Sequence, residues 1–117
     1  MAAPNIVNVT TITGKTAVQA VGTSATAIVT NSAASGKVFK VNALYVANVD
    51  GALNADLTVD LYRSSTAYRI AYTVAVPPDA SLDVITKPIY LEEGDSLRLT
   101  ANAANDLEAV CSYEEIS

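Results

Sequence analysis

Hydrophobic residues alternate with polar ones along much of the chain, which is the pattern of half-buried β-strands. Asp56–Arg63 shows it most clearly, because three aliphatic residues there alternate with Asp, Thr and Tyr. Ala67–Val76 alternates in the same way, and Ser64-Ser65 between the two segments predicts a hairpin turn. A second hairpin is predicted over Pro88–Ala101, where Glu92-Glu93-Gly94-Asp95 interrupts two alternating segments. These four segments predict antiparallel sheet.

The longest predicted strand is Lys37–Val49. One side of it would carry six apolar residues and face the core: Phe39, Val41, Ala43, Tyr45, Ala47 and Val49. Leu44 and Val46 make the middle of the opposite side apolar as well. Strands with two apolar faces are usually covered on both sides. We therefore expect a central strand that faces the core on one side and an arm or a partner subunit on the other.

The N-terminal third is rich in Thr, Ala and Ser and has a weaker pattern. An extended first strand or arm is predicted over Asn5–Thr13, a break at Gly14-Lys15, and short strands over Thr16–Val21 and Ala25–Thr30. Register is weakly specified in such segments. We interpret residues 1–35 as a strand or arm region within the same domain as a sandwich body over residues 36–117. An ordinary edge of the sandwich is the alternative to an arm.

Altogether the chain predicts about eight strands separated by turn signals, and no segment has helical periodicity. The predicted fold is an all-β antiparallel sandwich that resembles a jelly roll. An immunoglobulin-like sandwich is the alternative, although the Cys and Trp signature of that fold is missing. A length of 117 residues is typical of a single domain.

Charge and composition limit the classes of partner. Only 16% of residues are charged, which is a weak indication of an assembly subunit whose surface is covered by neighbours. The net charge is −5, and every Asp and Glu lies at residue 50 or later. An acidic body argues against nucleic acid as a partner, because phosphate binding needs clustered Lys and Arg. No apolar segment is long enough to predict a membrane-spanning helix, and the N-terminus does not have the pattern of a signal peptide.

The residues that usually carry chemistry are scarce. The chain has no His and one Cys, so a Cys–His nucleophile and the usual zinc ligand sets are excluded. Cys111 lies in an alternating segment, which predicts a buried thiol. Gly14-Lys15-Thr16 resembles part of a phosphate loop, but Val9 stands where that motif requires Gly, so a turn is predicted instead.

Acidic side chains are the remaining candidates for a site. Glu92, Glu93 and Asp95, with Asp106 as a possible neighbour, suggest calcium by composition, but their spacing matches no calcium loop. A solvated hairpin tip is the better interpretation. Outward-facing Asp on a strand, as at Asp60, is ordinarily solvated as well. We therefore predict no catalytic residue, no metal site and no cofactor.

Several stretches resemble small structural proteins of tailed bacteriophages, especially those of marine and cyanobacterial hosts. They are Met1–Val9, Ser35–Asn42, Val46–Gly51, Ile89–Thr100, Leu107–Val110 and Ser112–Ile116. The resemblance covers nearly the whole chain and implies a non-enzymatic virion component. These stretches carry fold pattern and no catalytic motif, so the resemblance implies no active site.

The leading functional hypothesis is a capsid decoration or cement protein, assembled in the cytoplasm of a bacterial host and located in the virion. Its partners would be the major capsid protein or other virion proteins, and it would form a homo-oligomer or a symmetric array. A neck, tail or fibre-associated subunit and a module that binds host-surface glycans are the alternatives. The predicted partner contacts are apolar side chains of the N-terminal region and of the second face of the long strand: Ile6, Val7, Val9, Ile12, Leu44 and Val46.

Overall fold

Nine strands form two antiparallel sheets within residues 4–117, the range that the computed structural model of the protein describes. This range includes no helix that is long and apolar enough to cross a membrane. The strands are β1 Ile12–Val21, β2 Thr26–Thr30, β3 Val38–Asn48, β4 Ala55–Arg63, β5 Thr66–Val76, β6 Ser81–Ile85, β7 Ile89–Leu91, β8 Ser96–Ala101 and β9 Leu107–Ile116.

The strand order confirms the predicted sandwich. Sheet A has the order β1-β9-β3-β6, with the short β7 also paired to β3, and sheet B has the order β2-β8-β4-β5. If β7 is set aside, the eight remaining strands have the order of a jelly roll, in which the first and last strands pair. The N-terminal strands are therefore integral to the body, since β1 belongs to sheet A and β2 to sheet B. Residues 1–3 of the predicted arm lie outside the described residues.

The core lies between the two sheets and consists of small and medium aliphatic side chains. Sheet A contributes Val41, Leu44 and Val46, and sheet B contributes Leu57, Leu97 and Leu99 among others, all fully buried. Truncating one buried Leu to Ala costs about 2–5 kcal/mol. This apolar layer stabilises the fold and holds the two outer faces rigidly apart.

A β-bulge in β3 changes the face to which its residues point. Val41 pairs with Tyr113 and Ala43 with Ser112, so Asn42 is an extra residue that has no partner on β9. One extra residue reverses the alternation. Odd-numbered positions face the core before the bulge and even-numbered positions face it afterwards. The prediction that Ala43, Tyr45, Ala47 and Val49 face the core is therefore wrong.

The predicted break at Gly14-Lys15 is also wrong. Both residues lie inside β1, where Gly14 pairs with Glu114 and Lys15 pairs with Tyr113. Nothing lies within 4 Å of a Cβ built on Gly14, so the glycine fills no tight space. The pairing with β9 outweighs the low strand propensity of Gly here. Gly14-Lys15-Thr16, where the sequence predicts a turn, is thus an ordinary stretch of an edge strand.

Two buried asparagines fasten loops at opposite ends of the sandwich. Asn31 Nδ2 donates to the carbonyls of Lys37 and Leu91 at 2.9 and 3.0 Å. Asn48 Nδ2 donates to the carbonyls of Leu53 and Val76 at 2.9 and 2.8 Å. Buried amides with satisfied donors fix loop geometry, so both ends of the two sheets have defined shapes.

Candidate functional site

The N-terminal segment, residues 4–11, is attached to the end of sheet A by its backbone. The amides of Thr10 and Thr11 donate to the carbonyl of Ser117 at 2.7 and 2.9 Å, and the Ser117 amide donates to Thr11. These bonds continue the pairing of β1 with β9. Before them, the Val7 amide donates to Asn5 Oδ1, which stabilises a local turn. The segment is therefore ordered against the body.

The predicted contact residues of this segment and of the start of β1 differ in exposure. Val7 is 82% exposed, Ile6 and Ile12 are more than half exposed, and Val9 is half-buried. An apolar groove of about 340 Å³ lies beside the segment, between Pro4 and Ile6 on one side and Val38, Tyr90 and Glu92 on the other. Several large apolar groups thus lie exposed within one small region of the surface.

Leu44 and Val46 are not available to a partner. Both are 0% exposed and belong to the core, because the Asn42 bulge turns them inward. The prediction that they lie on an outer face is wrong for that reason. Tyr45, which was expected in the core, occupies the outer face instead and is about half exposed.

Tyr45 is part of an apolar row on three strands of the outer face of sheet A, which ends where Tyr45 pairs with the exposed Asp83 of β6. Val18 on β1 pairs with Val110 on β9, and Val110 pairs with Tyr45 on β3. Paired residues in antiparallel strands point to the same side. Val18 is 74% exposed, and the other two are roughly half exposed. We call these three residues the outer row. The sequence pattern could not reveal it, because the alignment of the three strands is needed to bring them together.

The two ends of sheet A differ in charge. At the lysine end, Lys15 and Lys37 contact the Glu115 carboxylate at 2.9 and 3.1 Å. The hydrogen bond from Lys15, and then that from Lys37, hold the pKa of Glu115 below its usual value against the opposite effect of burial. Lys40 pairs with Glu114 at the same end.

The opposite end, the acidic end, is formed by segments 48–53, 79–83 and 102–108. Backbone bonds join these segments, from Asn48 to Ala80 at 2.8 Å and from Val49 to Asp106 at 2.7 Å. They contain five acids and no Lys or Arg: Asp50, Asp79, Asp83, Asp106 and Glu108. Asp106 therefore lies far from the acidic hairpin turn with which the sequence suggested it could combine.

That hairpin turn is not simply a solvated tip. Asp95 is buried, and its carboxylate accepts a hydrogen bond from Arg63 Nε at 2.8 Å and one from the Glu92 amide at 2.8 Å. Glu93 Oε2 accepts from the Gly36 amide at 2.9 Å. Within residues 4–117, no group of three or more acidic or thiol side chains is arranged to hold a metal ion. The acids of this turn have structural hydrogen bonds.

The outer face of sheet B is polar and carries a buried carboxylate. Asp60 faces outward as predicted, yet it is only 1% exposed, because Arg69 Nη1 approaches it at 2.7 Å and Arg98 Nη2 at 4.0 Å. The Arg98 guanidinium stacks on Tyr62 at 3.7 Å, and Arg69 lies 4.9 Å from the ring centroid of Tyr72. The prediction of a solvated carboxylate is wrong at Asp60, since two long side chains from neighbouring strands cover it.

These residues border an open groove of about 400 Å³, which we call the sheet B groove. It is lined by charged, hydroxyl and aromatic side chains, among them Thr58, Asp60, Arg69, Tyr72, Arg98 and Thr100. The Nε of Arg98 is buried and has no hydrogen-bond partner among the described residues. The groove offers hydrogen-bonding groups beside an exposed ring.

Comparisons with known proteins give a fold likeness. No family model matches the sequence, and no match is found among curated proteins. A subunit of Bacillus endospore appendages, described as disulfide-linked pili, is 13% identical to this chain. The match covers 100% of this chain and 96% of that subunit, with a TM-score of 0.55. That likeness concerns the fold alone.

Two further structures resemble this chain more weakly. A pentameric capsid protein from metagenomic phage sequences is 18% identical, with a TM-score of 0.42. The match covers 98% of this chain and 64% of the capsid protein. The nucleoplasmin-like domain of Drosophila FKBP39 is 14% identical, with a TM-score of 0.43 and coverages of 87% and 85%. The structural neighbours thus include a phage capsid protein and a pilus-like appendage protein.

Proposed function

We propose that this chain is a non-enzymatic structural subunit of a bacteriophage virion and, more specifically, a decoration protein that docks on the capsid. The observation that carries the proposal is the exposed apolar cluster of the N-terminal segment, in which Ile6 and Val7 project from a rigid sandwich. Apolar side chains grouped in this way mark contact surfaces. The resemblance of the sequence to small phage structural proteins supports the virion as the place of that contact.

The proposed mechanism is mechanical. Each copy would insert the N-terminal segment between capsid subunits and bury about 1,000 Å² or more at a stable contact. The body needs no rearrangement for this, because Thr10 and Thr11 anchor the segment to Ser117. The major capsid protein is the proposed partner, and many copies would form a symmetric array on the shell after assembly in the host cytoplasm.

Cosedimentation with capsid shells that were assembled without this protein tests the proposal. The full chain should bind the shells, and a chain that lacks residues 1–9 should not. This truncation keeps the backbone bonds of Thr10 and Thr11 to Ser117, so circular dichroism should report an unchanged fold. Tyr72→Ser, which removes an exposed ring from sheet B, is the matched control and should bind normally.

Two results would contradict the proposal in different ways. Failure of the full chain to bind shells would overturn the decoration role. Full binding by the truncated chain would overturn docking through the N-terminal segment. A neck, tail or fibre-associated subunit would appear as a ring or a few copies at one vertex in a particle reconstruction, rather than as density spread over the shell.

A second candidate function is the binding of host-surface glycans, which the sheet B groove favours. Sugar sites combine an exposed aromatic ring with several fixed polar groups, as Tyr72, Arg69 and Thr58 would here. A glycan array should then give hits that Arg69→Gln abolishes. An array with no hits would contradict this second candidate and leave the decoration proposal untouched.

A further inference from the structure

We propose that the sheet B groove binds an acidic sugar of the hexuronate class, that is, a pyranose whose ring carries a carboxylate. The proposal rests on the second candidate function and names the class of glycan that the groove would take. It begins from three charged groups that line the groove, where Arg69 and Arg98 flank the carboxylate of Asp60. Two guanidinium groups and one carboxylate leave one positive charge in the groove without a partner.

The surplus positive charge belongs to groups whose hydrogen-bond donors are not fully used. Arg98 Nη2 lies 4.0 Å from Asp60 Oδ2, beyond hydrogen-bond distance, and its buried Nε has no partner among residues 4–117. Tyr62 positions this guanidinium at 3.7 Å from its ring centroid but offers it no carboxylate. Arg69 donates from Nη1 to Asp60 at 2.7 Å, and its side chain stays about half exposed. A ligand carboxylate suits this pair, because guanidinium groups bind carboxylates through paired hydrogen bonds.

The charges around the groove also favour an anion, although the whole chain is acidic. The four strands of sheet B hold three arginines and two acids, a net charge of +1. The second acid, Asp56, lies four residues from Asp60 along β4, about 14 Å away, which exceeds the screening length in physiological salt. Glu92 and Asp95 of the hairpin turn are paired with Arg63. Asp60 is the only acid among the described residues that line the groove, so a ligand with one negative charge matches the surplus.

The next row along the strands supplies groups for sugar hydroxyls. Thr58 pairs with Thr100 there, two residues from the Asp60–Arg98 pair, which is a distance of about 7 Å. Thr58 Oγ1 accepts a hydrogen bond from the Thr73 amide at 3.1 Å, so its own proton is left to donate to a ligand. A hexuronate has its carboxylate and its ring hydroxyls on opposite sides of one ring. Its two ends can therefore contact the two rows at once.

Tyr72 supplies a surface for the apolar face of a sugar ring. It is 62% exposed and lines the groove beside Arg69, whose guanidinium lies 4.9 Å from the ring centroid. An aromatic surface with a few fixed polar groups is typical of small-molecule sites. A simple carboxylate ion would use the arginines alone, and a neutral sugar would leave the surplus charge unpaired. The groove is therefore matched by a ligand that carries both parts.

NMR titration of the isotope-labelled full chain tests the proposal, because the amide signals report affinity, location and fold together. The probes are glucuronate, galacturonate and mannuronate, with glucose, galactose and mannose as their neutral counterparts and acetate as the carboxylate alone. At least one hexuronate should bind about tenfold or more tightly than its neutral counterpart and than acetate. Added salt should weaken that binding. The shifted signals should belong to the strands that border the groove.

Three variants test the assignment of the charges. Arg98→Gln should weaken hexuronate binding about tenfold or more and leave any binding of the neutral hexose unchanged. Asp60→Asn removes the carboxylate that competes with the ligand, so it should tighten hexuronate binding, a gain that a misfolded variant could not give. Lys40→Gln is the matched control, because it removes one positive charge from β3 in sheet A. It should leave the affinity unchanged.

Several results would overturn the proposal. They are the absence of hexuronate binding at millimolar concentrations, equal binding of a neutral hexose, equal binding of acetate, which would indicate an adventitious ion only, and hexuronate binding that Arg98→Gln does not weaken. Glycan-array hits confined to neutral glycans would also overturn it, but would leave the second candidate function standing. An array with no hits beside a hexuronate that binds would contradict that function and support the assigned ligand class.

Discussion

Arg63 on β4 holds the carboxylate of Asp95, in the turn between β7 and β8, through two parallel hydrogen bonds. Arg63 Nε lies 2.8 Å from Asp95 Oδ1, and Arg63 Nη2 contacts Oδ2. The same carboxylate accepts a bond from the Glu92 amide across the turn. Bidentate pairs of this kind fix geometry as well as charge. The contact therefore fastens the hairpin turn to the neighbouring strands of sheet B.

Asp95→Asn should lower the free energy of unfolding by about 2 kcal/mol at neutral pH, since it removes hydrogen bonds between charged groups. Burial alone would raise the pKa of Asp95, but the bonds from Arg63 and from the Glu92 amide hold that pKa below its usual value. The stabilisation is therefore complete above the unfolded pKa of about 3.9 and is lost as the pH falls through the lower folded pKa. Denaturant titrations of wild type and Asp95→Asn at several pH values measure how this stabilisation depends on pH.

The matched control is Glu92→Gln. Glu92 also contacts Arg63, at 2.8 Å, but its side chain is 67% exposed, and exposed pairs contribute little. We expect a loss below about 1 kcal/mol. If the difference in free energy of unfolding between wild type and Asp95→Asn stays constant down to the lowest pH, the stabilisation does not depend on the Asp95 charge.

Thr73 offers a site for stabilisation. It lies in β5 with a φ of +49°, a conformation that β-branched residues rarely adopt, and its amide donates to Thr58 Oγ1. Asn tolerates this region much better than Thr. Thr73→Asn should therefore raise the free energy of unfolding by about 0.5–1 kcal/mol. Thr13→Asn in β1, where the backbone is extended, should not stabilise the protein, and an equal gain at both positions would rule out relief of strain.

Cys111 should be inert in the folded protein. It is fully buried in the core, and burial raises the pKa of its thiol to about 11. Thiolates are the reactive form, so an aromatic disulfide reagent should modify Cys111 only in denaturant. Rapid modification without denaturant would contradict the buried position.

The sequence predicted the sheets well where side chains alternate without interruption. In β4 the expected inward residues Leu57 and Val59 are fully buried, because no extra residue disturbs that strand. The pattern failed where alternation shifts, at Asn42 in β3. It also failed at Asp60, whose outward orientation was predicted but whose burial depends on arginines from two other strands. Bulges and cross-strand neighbours are properties of register, which one sequence does not display.

Deletion of a residue in β3 tests whether the Asn42 bulge is what turns Leu44 and Val46 toward the core. Deleting Asn42 would leave Val41 opposite Tyr113, Ala43 opposite Ser112 and Leu44 opposite Cys111, which is an uninterrupted ladder. Val41 and Leu44 would then be two positions apart and would still both face the core. We expect the deletion variant to fold with a loss of no more than about 2 kcal/mol, a typical single-mutation cost.

Deleting Tyr45 is the matched control. It removes one residue from the same strand beyond the bulge, so Val46 and Asn48 would change faces relative to Leu44 and leave the core. This variant should fail to fold or lose most of its cooperativity in thermal unfolding. If deletion of Asn42 were as damaging as deletion of Tyr45, the extra residue would itself be required for the fold. The inward turn of Leu44 and Val46 would then need another cause.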